Sequence, residues 1–279
     1  MYKIDPSAAL EYCDLSYMQL SGSNLTNANF KGAILIKTQF KGTDIDSADL
    51  SDAKLNGADL RSAKLSNAKL DGADFTGCLY DDDTKFPANF KCENRSMFRI
   101  SAEVDLSNLD LSNCHLNKAK LKSANLRKTN LTNADLRDAD LRNANLRGTN
   151  FTDANLTRAN LKHCLRDNNT LFPNNFNISN HSTYLIAPKA NLSSRHLNSA
   201  NLEDADLRDA NLKSTNFDSA NLKNADLRGA DLSNANLSNA DLTNADFRNA
   251  QNITPEQVKS ALYWSKAKYN NDFRLKLGL

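Results

Sequence analysis

Four histidines, five cysteines and many aspartates and asparagines are the side chains of this 279-residue chain that could do chemistry. His115, His163, His181 and His196 are scattered, and none stands in a Ser/His/Asp or metal-ligand arrangement. Cys13, Cys78, Cys92, Cys114 and Cys164 show neither a disulfide framework nor metal spacing, which points to a reducing, cytoplasmic compartment. No glycine loop is built to cradle a phosphate. Asp and Asn recur at one fixed place in a short unit, as Asp226 does in "ADLRG". A carboxylate pair found there is a feature of the repeat before it is an acid–base pair. Function has to be argued from a site. With none visible, the expectation is a protein that is not an enzyme, with no catalytic residue, cofactor or metal.

The unit that positions these residues is clearest in "ANLKNADLRGADLSNANLSNADLTNADF" (Ala220 to Phe247). Leu or Phe comes every fifth residue, with Ala two places before each. Five residues of α-helix turn through about 500°, which leaves no apolar stripe. A plain strand has period 2, so leucines five apart would alternate faces. Within one unit, however, an extended triplet points residues i−2 and i the same way and i−1 the other way. Ala225 and Leu227 then face inward and Asp226 outward. Arg228 and Gly229 must turn the corner, where Gly, Asn, Asp and Ser are the favoured residues. Short strands joined by turns that all bend one way wind into stacked coils, a β-solenoid.

Three blocks carry the pattern, at 8–80, 104–164 and 190–250, each slipped by one residue in phase. Two excursions, at 81–103 and 165–189, separate them. "CLYDDDTKFPANF" and "CLRDNNTLFPNNF" begin at Cys78 and Cys164, 86 residues apart, and Leu106 and Leu192 have the same separation. Their Asp/Asn clusters and Phe-Pro pairs read as projecting turns. They are either tolerated insertions with a local apolar cluster or recognition loops. Cys13, Cys78, Cys114 and Cys164 fall at the small inward i−2 position; Cys92 does not. The solenoid is expected over 1–253. At its end, "ITPEQVKSALYWSKAKY" opens a helix with Thr254 as N-cap, Pro255 at N1 and Gln257 completing a capping box. Val258, Ala261, Leu262 and Ser265 lie on one face of it. The segment 254–279 is expected to cover the exposed end of the solenoid. No capping helix is visible at the N-terminus, so the first coil is expected to be partly open to a partner. No apolar run is long enough to span a membrane, and Met1 to Leu20 has no signal-peptide pattern.

The units "ADLRD" (Ala134 to Asp138) and "ANLSN" (Ala235 to Asn239) resemble the pentapeptide repeat family, and the resemblance covers most of Ala8 to Ala250. It implies an all-β fold, a right-handed quadrilateral β-helix with four units per coil. "TKFP" at Thr84 to Pro87 and the ending "ALYWSKAKYNNDFRLKLGL" look like those of cyanobacterial members. The resemblance also implies two kinds of role. One is a protein–protein interaction scaffold, such as regulators of heterocyst development. The alternative is an acidic DNA mimic that modulates or protects DNA gyrase.

Charge favours the scaffold. Net charge is +2, and the blocks carry −2, +4 and −3 in chain order, so no long anionic surface forms. In the middle block Lys122, Arg142 and Lys162 follow one another at four-unit spacing and should stack on one face, with Arg127 and Arg147 on the next. This basic corner is either a solvated face or the candidate partner-binding surface for an acidic protein. Nucleic acid is not expected, because no aromatics interleave with the cations. A protein partner is expected, with a homodimer through a solenoid end as a second form of contact.

Overall fold

The computed structural model describes residues 4–92 and 95–279; Met1–Lys3, and Glu93 and Asn94 in the first excursion, lie outside the described residues. Each five-residue unit contributes one extended residue pair and one turn. The extended residue at i−1 bridges in parallel to its counterpart four units on, as in Asn29↔Asp49, Asp135↔Asn155 and Asp226↔Asp246. Both backbone groups of the pair are satisfied. Asn145 N–H donates to the Ala124 carbonyl and Leu141 N–H to the Asn160 carbonyl, each at 2.9 Å. The turn closes with a bond from i+3 back to i, as from Ala144 N–H to Leu141 C=O at 2.9 Å. Residue i+2 is held at positive φ, near +57° at Asn133 and Asn224 and +72° at Gly229. That left-handed conformation is why Asn, Asp, Ser and Gly fill the position.

The chain divides into two compact units, Met1–Val104 with Cys114–Leu121, and Asp105–Asn113 with Lys122–Leu279. In the first, Leu25, Phe30, Leu35, Phe40 and their successors to Phe75 form one buried column with the intervening alanines. In the second, Leu192 to Phe247 do the same. Each fully buried Leu contributes about 1.5–3 kcal/mol. Thr and Cys at i−2 solve a polar problem within this core. The Thr43, Thr129 and Thr215 hydroxyls and the Cys78 and Cys164 thiols donate to a carbonyl of the preceding coil, that of Leu20, Leu106, Leu192, Leu55 and Leu141 respectively, at 2.7 to 2.9 Å. Burial pushes the Cys164 thiol up to about 12 and Cys78 further, so both are inert fillers. Cys13 departs from the expected inward fill and is exposed, and Cys114 is half-buried. Cys13 sits on the first described coil, and no earlier coil lies over it among the described residues.

At the excursions the register departs from the four-unit turn. Lys64↔Lys85 and Asn150↔Leu171 each take one residue more. Then β1 (Leu79–Tyr80) pairs with β2 (Phe98–Arg99), and β3 (Leu165–Arg166) with β4 (Tyr184–Leu185), in parallel and with one residue fewer. These changed registers accompany the phase slip between blocks.

The capping box forms as expected. Thr254 accepts from Gln257 N–H, and the Gln257 side chain returns the bond. The helix is shorter than its sequence suggests: α1 (Pro255–Lys259) ends at Ser260, and a second helix, α2 (Asn271–Leu277), stops at Gly278. Between them the chain rejoins the ladder, with Leu262 bridged to Asp241 and Lys268 to Asp246. Val258 and Ala261 are buried as expected, but Leu262 is 50% exposed, because that bridge directs it away from the core. Trp264 and Phe273 pack on the same core. No helix among the described residues is long and apolar enough to cross a membrane.

Leu141→Asp would set a carboxylate in a fully buried position with no cation beside it, costing several kcal/mol. The expected outcome is loss of the cooperative thermal transition, measured by circular dichroism.

Candidate functional site

Part of the polar chemistry of the surface is spent within the repeat. At i−1, an Asp or Asn side-chain oxygen accepts the backbone N–H of i+1, as in Asp241 with Thr243 (2.8 Å) and Asn150 with Thr152 (2.9 Å). When i+1 is Arg, its guanidinium turns back on the same carboxylate. Arg137–Asp135, Arg142–Asp140, Arg208–Asp206, Arg228–Asp226 and Arg248–Asp246 close at 2.6 to 2.8 Å. These bonds hold Asp140, Asp206 and Asp226 below the ordinary carboxylate range. A carboxylate stabilised in its charged form is a poor proton donor near neutral pH.

Three of the five cations of the basic corner are engaged by partners. Lys122, Arg142 and Lys162 do lie on successive coils, with Ser123 N–H on the Arg142 carbonyl and Asn143 N–H on that of Lys162. But Arg142 is neutralised by Asp140, and Arg127 pairs with Asp204 at 2.9 Å. Arg147 is not on the surface at all: it is only 4% exposed. Its Nη2 donates to the Glu203 carbonyl at 2.8 Å and its Nε to the Asn145 side-chain oxygen at 3.1 Å. The expectation that it projects from a turn fails because the chain at Asn201 to Glu203 lies against that turn. Lys122 and Lys162 are exposed and form no ion pair among the described residues.

Arg147 has a counterpart that the sequence reading missed. Arg61, its equivalent in the preceding long repeat, is 2% exposed and bonded to both Asp59 oxygens at 2.8 and 2.7 Å. It also donates to the carbonyls of His115 and Asn117, at 2.5 and 3.2 Å. Lys41 reaches the Asn117 carbonyl at 2.6 Å, and burial, then the Arg61 charge, lower its pKa to about 8. The signal was the 86-residue repeat itself, which aligns Arg61 with Arg147 and Lys41 with Arg127.

The two excursions share a hydrogen-bonded corner. Thr84 and Thr170 donate to the carbonyls of Leu60 and Leu146, and accept from Asp81 and Asp167 N–H. Their phenylalanines pack inward. Phe86 stacks on Phe90, with ring centres 4.6 Å apart and Arg95 over Phe90, and Phe172 stacks between Phe151 and Phe176. The Phe-Pro motif is therefore a packing element. Three of the scattered histidines have aromatic or charged neighbours near the second excursion. His181 stacks on Phe176 at 4.7 Å, His163 stacks on Tyr184 at 5.3 Å, and the His163 and His196 charges interact. Among the described residues no group of His, Cys, Asp or Glu is placed to hold a metal ion.

Family models match most of the chain: "Pentapeptide repeat region" over residues 100–171, and "Pentapeptide repeats (8 copies)" over 8–46, 43–79, 189–224 and 220–251. No curated protein sequence matches it. Among solved structures, alr5209, a pentapeptide repeat protein from Nostoc PCC 7120, is 36% identical over 33% of this chain and 81% of its own, with a TM-score of 0.26. HetL, a pentapeptide repeat protein involved in heterocyst differentiation regulation in Nostoc sp. strain PCC 7120, is 25% identical over 95% and 89%, with a TM-score of 0.18. QnrB1, a plasmid-mediated fluoroquinolone resistance protein, is 16% identical over 98% and 97%, with a TM-score of 0.27.

His163 carries a pH dependence. Burial, then the charges of Lys162, His196 and Arg195, holds the His163 pKa below its usual 6.5. A histidine depressed in the folded state binds fewer protons there than when unfolded, so its stabilisation is complete above 6.5 and is lost as pH falls through the folded value. The melting temperature is expected to fall as pH drops below 6.5, before the carboxylates titrate, and His163→Phe should flatten that slope. A thermal-melt series against pH measures it.

Proposed function

The chain belongs to the pentapeptide repeat family, and from that premise we propose that it is a non-enzymatic protein–protein interaction scaffold, regulatory in a cyanobacterium. Its body is a right-handed quadrilateral β-helix, a reading supported by bridges such as Asp135↔Asn155, which join residues four units apart and so set four units to a turn. Residues 254–279 cap it, supported by the burial of Val258, Ala261 and Leu277 against the last coils. The cyanobacterial reading rests on the "TKFP" excursion and the chain ending, and heterocyst development is one such regulatory setting. The likenesses to HetL and QnrB1 are too distant to bring either role with them. Gyrase modulation by DNA mimicry also lacks its charge, since the net charge is +2 and the aspartates beside arginines are already paired.

The observation that carries the scaffold reading is the exposed aromatic surface of the first described coil. Tyr12 and Tyr17 are 71% and 64% exposed, one unit apart at left-handed turn positions, with Met18 exposed beside them. Ala9, Asp14 and Gln19 bridge only to the following coil among the described residues, so no described strand covers their other edge. Large aromatics beside such an edge are what a protein partner covers. The same end is where two copies would meet in a homodimer.

The test uses the immobilised full-length chain with a lysate of its host. Tyr12→Ser/Tyr17→Ser is expected to melt within about 1 kcal/mol of wild type, because both rings are largely in solvent. It should lose a partner that wild type retains saturably. Retention of every partner by the double variant would remove the first coil as the contact surface.

A further inference from the structure

Asp59–Leu60–Arg61 and Asn145–Leu146–Arg147 are equivalent by the 86-residue repeat but differ in charge. Arg61 takes both oxygens of Asp59, and its Nη1 reaches the Asn117 carbonyl. Arg147 faces an amide instead of a carboxylate. Its Nε and Nη2 are bonded to the Asn145 side-chain oxygen and to the Asn201 and Glu203 carbonyls, and its Nη1 has no acceptor among the described residues. A guanidinium 4% exposed without its own carboxylate is costly unless another anion compensates it.

Arg147 lines a cavity of about 610 Å³ within the second unit, together with Arg127, Lys128, Asp167, Asp204 and Asp206. Asp204 is engaged by Arg127, and both Asp206 oxygens by Arg208, which is outside the wall. Asp167 Oδ1 already accepts from Gly148 N–H, Asn169 N–H and Thr170 Oγ1. Three cations thus face two carboxylates not matched elsewhere, leaving one positive charge in excess. Lys128, which adds to that excess, stands where the first block has Gly42. Ile186 and Ala187 supply an apolar wall.

We propose that this cavity binds one carboxylate group, seated between Arg147 Nη1 and the Lys128 ammonium, with its carrier against Ile186 and Ala187. Burial, then the Arg127 charge, lowers the Arg147 pKa to about 10 against the attraction of Asp167, Asp204 and Glu203, so the guanidinium remains charged at neutral pH. A single carboxylate fits the excess of one charge and the planar face of a guanidinium. The carboxylate belongs either to a free organic acid or to an acidic side chain of a protein segment, and the two are separable by experiment. This site is independent of the Tyr12 and Tyr17 surface.

The experiment follows the Arg147 side-chain nitrogen signals of the full-length protein by NMR, titrating benzoate, acetyl-Ala-Glu-Ala-amide and inorganic phosphate. A saturable shift at Arg147 with benzoate or with the peptide is expected, and which of them acts identifies the source. Asn145→Asp supplies the missing carboxylate internally and should weaken binding about tenfold or more, equivalent to about 1.4 kcal/mol. Lys128→Gly should weaken it as well, and Lys128 sits at φ 57°, where glycine is accommodated without strain. The proposal is overturned if neither carboxylate moves Arg147, if only phosphate does, or if both folded variants bind like wild type.

Discussion

The fold depends on the parallel backbone bond made across coils. An extended dipeptide in isolation holds nothing, yet each unit here donates to and accepts from units one turn away, as Asn29 does to Ala8 and Phe30 to Asp49. That pairing requires the chain to arrive in register after every four units, which in turn requires a left-handed residue at each corner. The buried Leu and Ala column is the consequence of the register and then its reinforcement. A shift by one whole unit keeps the inward set inward, whereas any other shift drives Asp or Arg into the column. The Thr and Cys substitutions at i−2 are admitted because a carbonyl of the preceding coil lies within reach of their hydroxyl or thiol.

The same economy governs the surface. A unit with Asp at i−1 and Arg at i+1 builds an Asx-type turn and an ion pair from one carboxylate. Exposed pairs of this kind add about 0–1 kcal/mol each. Their larger consequence is electrostatic: each such pair cancels its own charge locally. Outside these pairs stand the exposed Lys122 and Lys162, the exposed tyrosines on the first described coil and the buried Arg147 beside its cavity.

What the sequence reveals follows from what repeats. Leu141, Leu227 and the turn glycines are legible because their surroundings recur with every unit. The start of α1 is legible because a capping box is a local motif, Thr254 to Gln257. The end of α1 is not, since it is set by Leu262 rejoining a ladder whose other strand is Asp241. Cys13 falls at the inward position of its unit but is exposed on the first described coil. Arg147 is the sharpest case. Its position in the unit reads as a solvent-facing turn, and only the chain around Asn201 and Glu203 makes it interior. Neither the rule of the unit nor the rule of the coil contains that contact. The 86-residue repeat does, because it pairs Arg147 with Arg61, and both are buried.

The register itself is open to direct observation. Hydrogen-bond scalar couplings in a labelled, full-length sample connect an amide nitrogen to the carbonyl carbon of its acceptor. They should link Asn145 to Ala124, Asn155 to Ala134 and Asp226 to Ala205, each acceptor lying one coil earlier. They should also link Leu141 to Asn160 and Leu207 to Asp226, each acceptor lying one coil later. Couplings between those pairs are the expected result. Couplings in any other register, or their absence from amides protected against exchange, would contradict the solenoid.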